Sequence, residues 1–348
     1  MAVFAATGLK ARPEYGDACA EAMSVHRSVG VMVVPESTLS LAGEDRTAFL
    51  HNICSNDLKS LGRGQGCCAL MLTPKGKILF PFAARVSASQ VWVQAADRYH
   101  AAFKQFLESS LVMEDVAVRD TAAEFQVFHL AGMRSADIMA DLSLPIPTGT
   151  ELSWISAGPV TVVRRRRTLR PGVDLIVASA DADAWFEKLQ AATRRLGGGP
   201  VGTIAADILR IEAAIAAFGV DFSGEHFPQE AALEEQFVSF TKGCYTGQEV
   251  VARIKTYGGV NRRLVGLVLD GPPAAPGDRV FRNGAECGAV TSAARSLAFS
   301  KSVALAMVAK PAAVPGAVVR IGGPEGPGAV VVDIAVPREN PWEVPAHA

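Results

Sequence analysis

The fold is decided by the stretch RRLVGLVLDGPPAAPGDRVFRNGAECGAVTSAARS, residues 262–296. Short runs of β-branched and apolar residues alternate here with Gly and Pro at turn-length intervals, a pattern that is typical of antiparallel strands. The same pattern continues through KSVALAMVAKPAAVPGAVVRIGGPEGPGAVVVDIAVP, residues 301–337. Because many short, evenly spaced strands close readily into a barrel, residues 261–340 are predicted to form a small β-barrel domain. Residues 341–348 are predicted to be a loose tail.

The preceding residues, 1–260, mix helix and strand signals and are predicted to form one larger domain. CCALMLTPKGKILFPFAARV (67–86) predicts two strands joined by a turn at Pro74-Lys75-Gly76. VWVQAA (91–96) predicts a further strand, and DRYHAAFKQFLESSL (97–111) predicts a helix. Its inward-facing residues are predicted to be Ala102, Phe103, Phe106 and Leu107. The fold class is therefore predicted to be α+β, with antiparallel hairpins.

Two other helices are predicted from capping and periodicity. Asp45 is placed to cap a helix within LSLAGEDRTAFLHNI, residues 39–53. Ile204, Ile208, Ile211 and Ile215 recur at near-helical spacing and are predicted to face the core. Glu212 follows one of these isoleucines and is predicted to lie at the edge of the buried face, where a carboxylate needs a partner.

The composition limits the classes of protein to which the chain can belong. Hydrophobic residues make up 49% of its 348 residues and charged residues 20%, which is typical of well-packed globular domains. With 34 basic and 35 acidic residues, the net charge of -1 provides no general attraction to nucleic acid. The basic run Arg164–Arg167 predicts either a strand at a sheet edge, where charge opposes pairing with other chains, or an anion site. No strong direct binding of nucleic acid is expected.

The cysteines and the chain ends indicate the cellular environment. The six cysteines form no C-x-x-C pair and are scattered along the chain, which argues against a zinc site and against a disulfide framework. The N-terminal residues lack the features of a signal or transit peptide. No apolar run approaches the roughly 18 residues that a membrane span needs. These features predict a cytoplasmic protein that does not bind a membrane.

The octapeptide KGCYTGQE, residues 242–249, places one thiol between a lysine and the start of a helix. Thr246 and Glu249 have the spacing of a capping box, so the helix is predicted to begin here with Cys244 just outside its positive end. A thiolate is favoured beside a cation and near a helix N-terminus, so Lys242 is predicted to make Cys244 reactive. The alternative is that Cys244 is a small packing residue in a tight loop.

Several segments together resemble one family. KGCYTGQE with the following ARIK is similar to the signature of the YgfZ/Iba57 folate-binding proteins, which are relatives of the glycine-cleavage T-protein, an aminomethyltransferase. The other matching segments, in the family's order, are FLHNICSNDL (49–58), LTPKGKIL (72–79), LRIEAAIAAFGVDF (209–222), AVTSAARS (289–296) and KSVALAMV (301–308). The resemblance implies a folate-binding core of three subdomains around a central cavity, followed by the β-barrel.

The resemblance also implies a ligand and a site. Tetrahydrofolate or a related folate is the implied ligand, with Glu212 binding the pterin through paired, charge-assisted hydrogen bonds. Arg253 is a candidate for the glutamate tail of the folate, and Tyr245 and Phe218 are candidate walls. Cys244, assisted by Lys242, is the implied reactive thiol. No metal ligands are implied within the chain, because one cysteine cannot hold an iron-sulfur cluster.

Three functions remain open at this point. The family resemblance implies an accessory protein that assembles or maintains iron-sulfur clusters in client enzymes, including radical-SAM enzymes that modify tRNA. A folate-dependent aminomethyltransferase-type enzyme is the first alternative. Against it, Gln94-Ala95 replaces the Asn-Ala pair of T-proteins and Ala101 stands where their catalytic aspartate is expected, with Asp97 out of register. A binding module with another ligand or a protein partner is the second alternative, and the oligomeric state is open.

Overall fold

The computed structural model of the chain describes residues 9–269, 271–335 and 341. These residues divide into two compact units. The first contains residues up to 69 together with 80–206, and the second contains 70–79 together with the residues from 207 onward. The predicted domain boundaries at 260 and 340 stay predictions, and most of the predicted tail, residues 342–348, lies outside the described part of the chain.

The helices and strands are numbered in chain order. The helices are α1 (Ala18–Arg27), α2 (Arg46–Ile53), α3 (Asp97–Ser109), α4 (Ser135–Asp141), α5 (Ala182–Arg195), α6 (Thr203–Glu212), α7 (Glu234–Phe237) and α8 (Gln248–Tyr257). The strands are β1 (Gly30–Val34), β2 (Glu36–Ala42), β3 (Gly66–Leu72), β4 (Ile78–Val86), β5 (Val91–Ala96), β6 (Ala117–Asp120), β7 (Phe125–Ala131), β8 (Trp154–Ala157), β9 (Val160–Arg164), β10 (Gly172–Ala178), β11 (Gly199–Val201), β12 (Arg262–Leu269), β13 (Arg279–Arg282), β14 (Ala285–Ser296), β15 (Lys301–Ala309), β16 (Val318–Ile321) and β17 (Gly328–Val332).

The first unit is built on two sheets. One has the order β11-β1-β7-β10-β9-β8, in which β11 is parallel to β1 and the other pairs are antiparallel. The other has the order β3-β4-β5-β2-β6, and the joined ends of β3 and β4 belong to the second unit. Helix α3 covers the five-stranded sheet through aromatic contacts. The centroid of the Phe103 ring lies 5.2 Å from the ring centroids of Phe80 and Phe82.

Strand alternation gives the six-stranded sheet two different faces. Leu130 and Leu175 point to the face that α4 and α5 cover, and they belong to the main apolar core. Because side chains alternate along a strand, the intervening residues point to the opposite face. His129 and Asp174 are direct cross-strand partners in the register of β7 and β10, so the register itself places these two polar side chains together.

The second unit contains a closed barrel with strand order β12-β15-β14-β13-β16-β17. Its interior is filled by small and β-branched residues such as Val265, Ala304, Ala306 and Val331. The register of β14 against β15 shifts between Val290 and Ser292, which marks a β-bulge. The predicted α+β class and the predicted C-terminal barrel are both confirmed.

Several local predictions are confirmed and others are wrong. Gly76 has the positive φ, 74°, that the hairpin turn requires. Ala102 was predicted to face inward on α3 but is exposed. Asp45 precedes α2 without capping it, because its carboxylate accepts a hydrogen bond from the Asp115 N–H instead. Within the two stretches 9–269 and 271–335, no helix is long and apolar enough to cross a lipid bilayer.

The isoleucine stripe is only partly in the core. Ile211 is buried, whereas Ile204 is 48% exposed. Helix α6 ends at Glu212, so Ile215 lies beyond it. The physical reason is a change of backbone direction, since Ala214 adopts a φ of 54°, which an α-helix does not allow.

Candidate functional site

The loop before α8 is fixed against the tip of the β3–β4 hairpin. Gly247, the residue before α8, has a φ of 81°, and a Cβ added there would lie 2.6 Å from the carbonyl oxygen of Thr73. Only glycine fits such a close backbone approach. The predicted capping box is wrong, because Gly247 provides no side chain to cap the helix and Glu249 instead lies 3.6 Å from Arg253.

Cys244 is held outward by buried neighbours on either side. Its thiol is free and exposed, whereas Lys242 and Tyr245 are both buried. The Lys242 Nζ lies 5.0 Å from the centroid of the Tyr245 ring, a cation–π contact within the loop, and Tyr245 packs in an apolar cluster. Cys244 is therefore not buried in a core, and the alternative that a small side chain merely fits this tight loop stays open. The arrangement presents one accessible sulfur on a well-anchored loop, and its chemical reactivity stays a prediction.

Two candidate folate-binding residues share one apolar cluster in the second unit. Tyr245 is buried in this cluster together with residues from the hairpin, including Leu72, and Phe218 packs against it. The Phe218 ring meets Phe222 edge to face, with centroids 5.5 Å apart. The structure therefore brings Tyr245 and Phe218 to one cluster, and their role as walls of a folate site stays a prediction.

Glu212 is completely buried instead of lying at the edge of the helix face. Its Oε1 accepts hydrogen bonds from the Ser296 hydroxyl at 2.8 Å and from the N–H groups of Leu297 and Ala298 at 2.9 and 3.2 Å. The carboxylate therefore shapes the turn between β14 and β15, a structural role that the sequence did not reveal. Its binding of a pterin stays a prediction.

Arg253 lies on the solvent face of α8. Its side chain is 71% exposed, and its partner is Glu249 one helical turn earlier. Such a pair contributes little to stability because solvent screens it. Arg253 is not part of the cluster that contains Tyr245 and Phe218, so its role with the folate tail also stays a prediction.

A second buried carboxylate, Asp221, binds side chains from helix α6 and from barrel strand β14. Its Oδ2 accepts from Arg210 Nη1 at 2.8 Å, and its Oδ1 accepts from the hydroxyls of Thr291 and Ser292, each at 2.6 Å. Consecutive strand residues normally point to opposite faces, so both hydroxyls reach one carboxylate only because the β14 bulge interrupts the alternation. A lone acid in the apolar segment FGVDF was the only sequence signal for this site.

The first unit contains an ionic network, built on buried Asp174 and His129 and half-buried Arg167 and Glu36, that the sequence did not reveal. Arg167 donates to both oxygens of Asp174, at 2.9 and 2.8 Å, and to both oxygens of Glu36, at 2.8 and 2.6 Å. His129 Nδ1 lies 2.8 Å from Asp174 Oδ1, and the Gln94 amide donates to Glu36. Paired bonds of this kind between guanidinium and carboxylate are among the strongest in proteins.

The protonation states within this network follow from burial and charge. Burial alone would raise the pKa of Asp174, but the charge of Arg167 and the His129 hydrogen bond hold that pKa far below its usual range. Burial lowers the pKa of His129, so its imidazole is neutral at pH 7. Because the Asp174 carboxylate can only accept, the His129 proton is on Nδ1.

The arginine run that the sequence singled out is exposed at Arg164 and half-buried from Arg165 to Arg167. Strand β9 ends at Arg164 and pairs with strands on both sides, so the prediction of an edge strand is wrong. Arg165 lies 3.4 Å from the Cys68 sulfur, and the carboxylates of Glu36 and Asp174 bind Arg167. The anions that attract Arg167 are therefore the protein's own carboxylates. The six cysteines, all of which lie within residues 9–269 and 271–335, form no disulfide bonds. In the same part of the chain, no His, Cys, Asp or Glu side chains form a group of three that could hold a metal ion.

The start of α3 carries one acid close to the expected aspartate position. Ala101 is exposed and has no functional group, whereas Asp97 lies one helical turn earlier on the same face. The Asp97 carboxylate accepts from the Ser37 hydroxyl at 2.6 Å. Although Asp97 is exposed, partial desolvation of its carboxyl raises its pKa, and the nearby charge of Glu36 acts in the same direction.

Comparisons with known proteins agree with this fold. Residues 3–242 match the family model of the GCVT N-terminal domain, and residues 262–333 match the glycine cleavage T-protein C-terminal barrel domain. The chloroplastic protein At1g60990 of Arabidopsis thaliana, provisionally named as a transferase, is 30% identical over 84% of this chain and 68% of its own length. The aminomethyltransferase of Listeria welshimeri is 28% identical over 83% of this chain and 81% of its own.

A solved structure confirms the architecture. The crystal structure of the glycine cleavage system aminomethyltransferase T from Bartonella henselae covers 97% of this chain with a TM-score of 0.86, and 94% of that protein is covered in return. At 22% sequence identity this similarity shows the fold alone. The predicted T-protein-like fold is therefore confirmed. The chain belongs to the glycine-cleavage T-protein family, which is part of an aminomethyltransferase-like superfamily of folate-binding proteins.

Proposed function

We propose that this chain is a folate-binding accessory protein for iron-sulfur enzymes, of the YgfZ/Iba57 type, with Cys244 as its reactive thiol. The observation that carries the proposal is the exposed sulfur of Cys244 on a loop that buried Lys242 and Tyr245 hold in place. An accessible thiol can act transiently on a cluster or on a client protein, whereas a buried thiol cannot. The absence of a carboxylate at Ala101 agrees with a role other than that of the aminomethyltransferases.

Tetrahydrofolate or a related folate is the proposed ligand. The proposed client proteins of this chain include radical-SAM enzymes that modify tRNA. Tyr245 and Phe218 supply the apolar surface, Glu212 the acceptor for the pterin, and Arg253 a cation for the glutamate tail. A cytoplasmic location is part of the same proposal. Direct contact with tRNA is not required, since the client enzyme binds the tRNA.

Folate binding through Glu212 is tested by calorimetry. Titration of tetrahydrofolate under anaerobic, reducing conditions is expected to show binding to the wild type and a loss of about 1.5–3 kcal/mol in Glu212→Gln, the range for a hydrogen bond to a charged group. Glu234→Gln is the matched control, because Glu234 is also buried in the second unit but is paired with Arg263 at 2.9 Å. Equal affinity of the wild type and the Glu212→Gln variant would remove Glu212 from the site.

The role of Cys244 is tested in cells that lack the wild-type protein. The Cys244→Ala variant is expected to leave an iron-sulfur, tRNA-modifying client enzyme at the activity of cells without the protein, because the accessible sulfur is gone. Cys19→Ala is the control, since Cys19 is also free and exposed. Both variants are expected to bind tetrahydrofolate as the wild type does. Full client activity with Cys244→Ala would refute the proposed role of the thiol.

A second candidate function is a folate-dependent one-carbon transferase, and Asp97 is the observation that favours it. This carboxyl lies one helical turn from the position that Ala101 occupies, and its raised pKa suits a group that exchanges protons. A transferase of this kind is expected to convert tetrahydrofolate steadily in the presence of an aminomethyl donor. Asp97→Asn would then abolish turnover and Cys244→Ala would not, the reverse of the pattern expected for the accessory function.

A further inference from the structure

The two most exposed large apolar side chains in the described part of the chain are neighbours at a bend between α3 and β6. Val112 is 85% exposed and Met113 is 92% exposed. Apolar residues that are exposed singly are common on protein surfaces, whereas adjacent ones at one bend mark a candidate contact surface. We call residues 111–115, which contain this bend, the Met113 knob.

Carboxylates hold the backbone of the Met113 knob in a fixed shape. The Glu114 carboxylate accepts hydrogen bonds from the two N–H groups at the bend, at 2.9 and 3.0 Å. At the base of the knob, the Asp115 N–H donates to Asp45 Oδ2 at 2.9 Å, and Asp115 Oδ2 accepts from the Glu44 N–H at 3.0 Å. A surface whose backbone is already ordered loses little conformational freedom when it binds, so the knob is preorganised for contact.

The charges around the Met113 knob are all of one sign. Segments 43–45 and 108–115 contain no Lys or Arg but five exposed acids, which are Glu44, Asp45, Glu108, Glu114 and Asp115. Lys104 binds Glu108 at 2.7 Å, and the other four acids have no ion-pair partner within residues 9–269 and 271–335. This surface repels phosphates and anionic lipids, and it favours a partner that combines an apolar site with basic charge.

A pocket of about 590 Å³ in the same unit has this complementary character. The half-buried rings of Trp92, Phe125 and Trp154 form its apolar walls, and its two charged side chains, Arg63 and Arg85, are both basic. Arg85 is buried and is already attracted by the carboxylates of the ionic network. The available charge is therefore that of Arg63, which is exposed and makes no ion pair with the described residues.

One arginine connects the edge of this pocket with the base of the Met113 knob. Arg46 Nη2 donates to the carbonyl of Ala88, which lines the pocket, at 2.7 Å, and its Nη1 donates to the carbonyl of Gly43 at 2.6 Å. Gly43 directly precedes Glu44, whose N–H is bound at the base of the knob. Because knob and pocket are neighbours, two-fold symmetry can place each knob opposite the pocket of another copy in one self-complementary contact.

We propose that this chain pairs with a second copy of itself through the first unit, about a two-fold axis. Val112 and Met113 of each copy enter the aromatic pocket of the other, and the acids of the knob lie beside Arg63. Burial of the apolar side chains stabilises the contact, and the opposite charges fix its orientation. This proposal goes beyond the folate-binding function and does not depend on it.

Sedimentation equilibrium of the whole chain tests the proposal. The wild type is expected to dimerise, and the double variant Val112→Ser/Met113→Ser is expected to dimerise at least about tenfold more weakly, because two apolar side chains of each copy are no longer buried. Both residues are exposed in the single chain, so the variant is expected to keep the circular dichroism of the wild type. Met133→Ser is the matched control, because Met133 is 60% exposed in the same unit but lies beside Arg170.

The pocket is tested by a separate substitution. Arg63→Glu is expected to weaken dimerisation by at least about tenfold, because the acids of the knob would then face a like charge. Arg194→Glu makes the same change in net charge at an exposed position on α5 and is expected to dimerise as the wild type does. Added salt is expected to weaken the wild-type dimer, since it screens the exposed charges.

A mixture of the two kinds of variant distinguishes this contact from any other. A mixed dimer of Val112→Ser/Met113→Ser with Arg63→Glu contains one intact knob in one intact pocket, whereas each variant alone forms no such contact. The mixture is therefore expected to dimerise more strongly than either variant. The proposal is overturned if the wild type is a monomer at the highest concentration it reaches in solution, if either variant dimerises as tightly as the wild type, or if mixing restores no association.

Discussion

The Asp174→Asn variant is expected to lose about 3–5 kcal/mol of unfolding free energy, the usual effect of removing one partner from a buried ion pair. Asp174 is 1% exposed and is bound by both Arg167 and His129. The substitution leaves the Arg167 guanidinium with Glu36 alone and places an amide where only an acceptor fits. The measurement is urea unfolding followed by tryptophan fluorescence, since Trp92, Trp154 and Trp185 all lie in the first unit.

The same carboxylate makes the stability of the protein sensitive to acid. Its pKa in the folded chain lies far below the ordinary value of 3.8, so the full stabilisation is present above that value. As the pH falls below it, the unfolded carboxyl binds a proton while the folded one does not, and stability decreases. The Asp174→Asn variant has an amide at this position, which does not bind a proton in this pH range. The difference in unfolding free energy between wild type and Asp174→Asn is therefore expected to narrow between about pH 4 and pH 2.

The control for Asp174→Asn is an exposed ion pair with the same distance between nitrogen and oxygen. Asp137 lies 2.8 Å from Arg134, the same distance as between Asp174 and Arg167, but its side chain is 53% exposed. Asp137→Asn is expected to change the unfolding free energy by less than about 1 kcal/mol. Equal effects of Asp137→Asn and Asp174→Asn would show that the buried network does not stabilise the fold through its charges.

Replacing Asp221 with alanine is expected to destabilise the second unit by about 3–5 kcal/mol. The change leaves the hydroxyls of half-buried Thr291 and buried Ser292 without their shared acceptor and removes a buried partner of Arg210. Ser292 and Arg210 each lose a bond that compensates their burial, whereas Thr291 can still donate to the Leu305 carbonyl. Urea unfolding followed by far-ultraviolet circular dichroism measures the loss, because this signal includes the strands of the barrel.

Arg210 supplies its own control, because it binds two carboxylates in different surroundings. Asp207 lies 2.6 Å from Arg210 Nε and is 56% exposed, whereas the Asp221 side chain is completely buried. Asp207→Ala is expected to cost less than about 1 kcal/mol, since solvent screens the pair. If the two substitutions have similar effects, the hydroxyl groups at the bulge do not depend on Asp221.

The parts of the fold that were predictable from sequence are those with a local cause. The hairpin at Gly76 follows from turn chemistry, and the barrel follows from evenly spaced β-branched runs. The prediction of a capping box at Thr246 is wrong because the residue that precedes α8 must be glycine. A close contact with Thr73, which is distant in sequence, leaves no room for a side chain there. The prediction that Ile204 faces the core is wrong for a related reason. Helical spacing indicates which residues share a face, but it does not show how far along the helix the core extends.

The candidate site shows the same limit. The exposed thiol of Cys244 was predictable, because the motif around it is contiguous in sequence. The network of Glu36, Arg167 and Asp174 was not, because these residues come from separate strands that only the sheet registers bring together. The cluster at Asp221 depends on one extra residue in β14, and a bulge leaves little trace in the apolar pattern.

The division of the chain into units affects the order in which the protein folds during synthesis. The tip of the β3–β4 hairpin is made early, yet its apolar residues Leu72 and Ile78 pack in the second unit against Tyr245 and Val251. At roughly 5–20 residues per second, these partners leave the ribosome on the order of ten seconds later. The hairpin tip therefore stays uncovered throughout that interval, and the nascent chain exposes an apolar surface to chaperones until the octapeptide that contains Cys244 has been made.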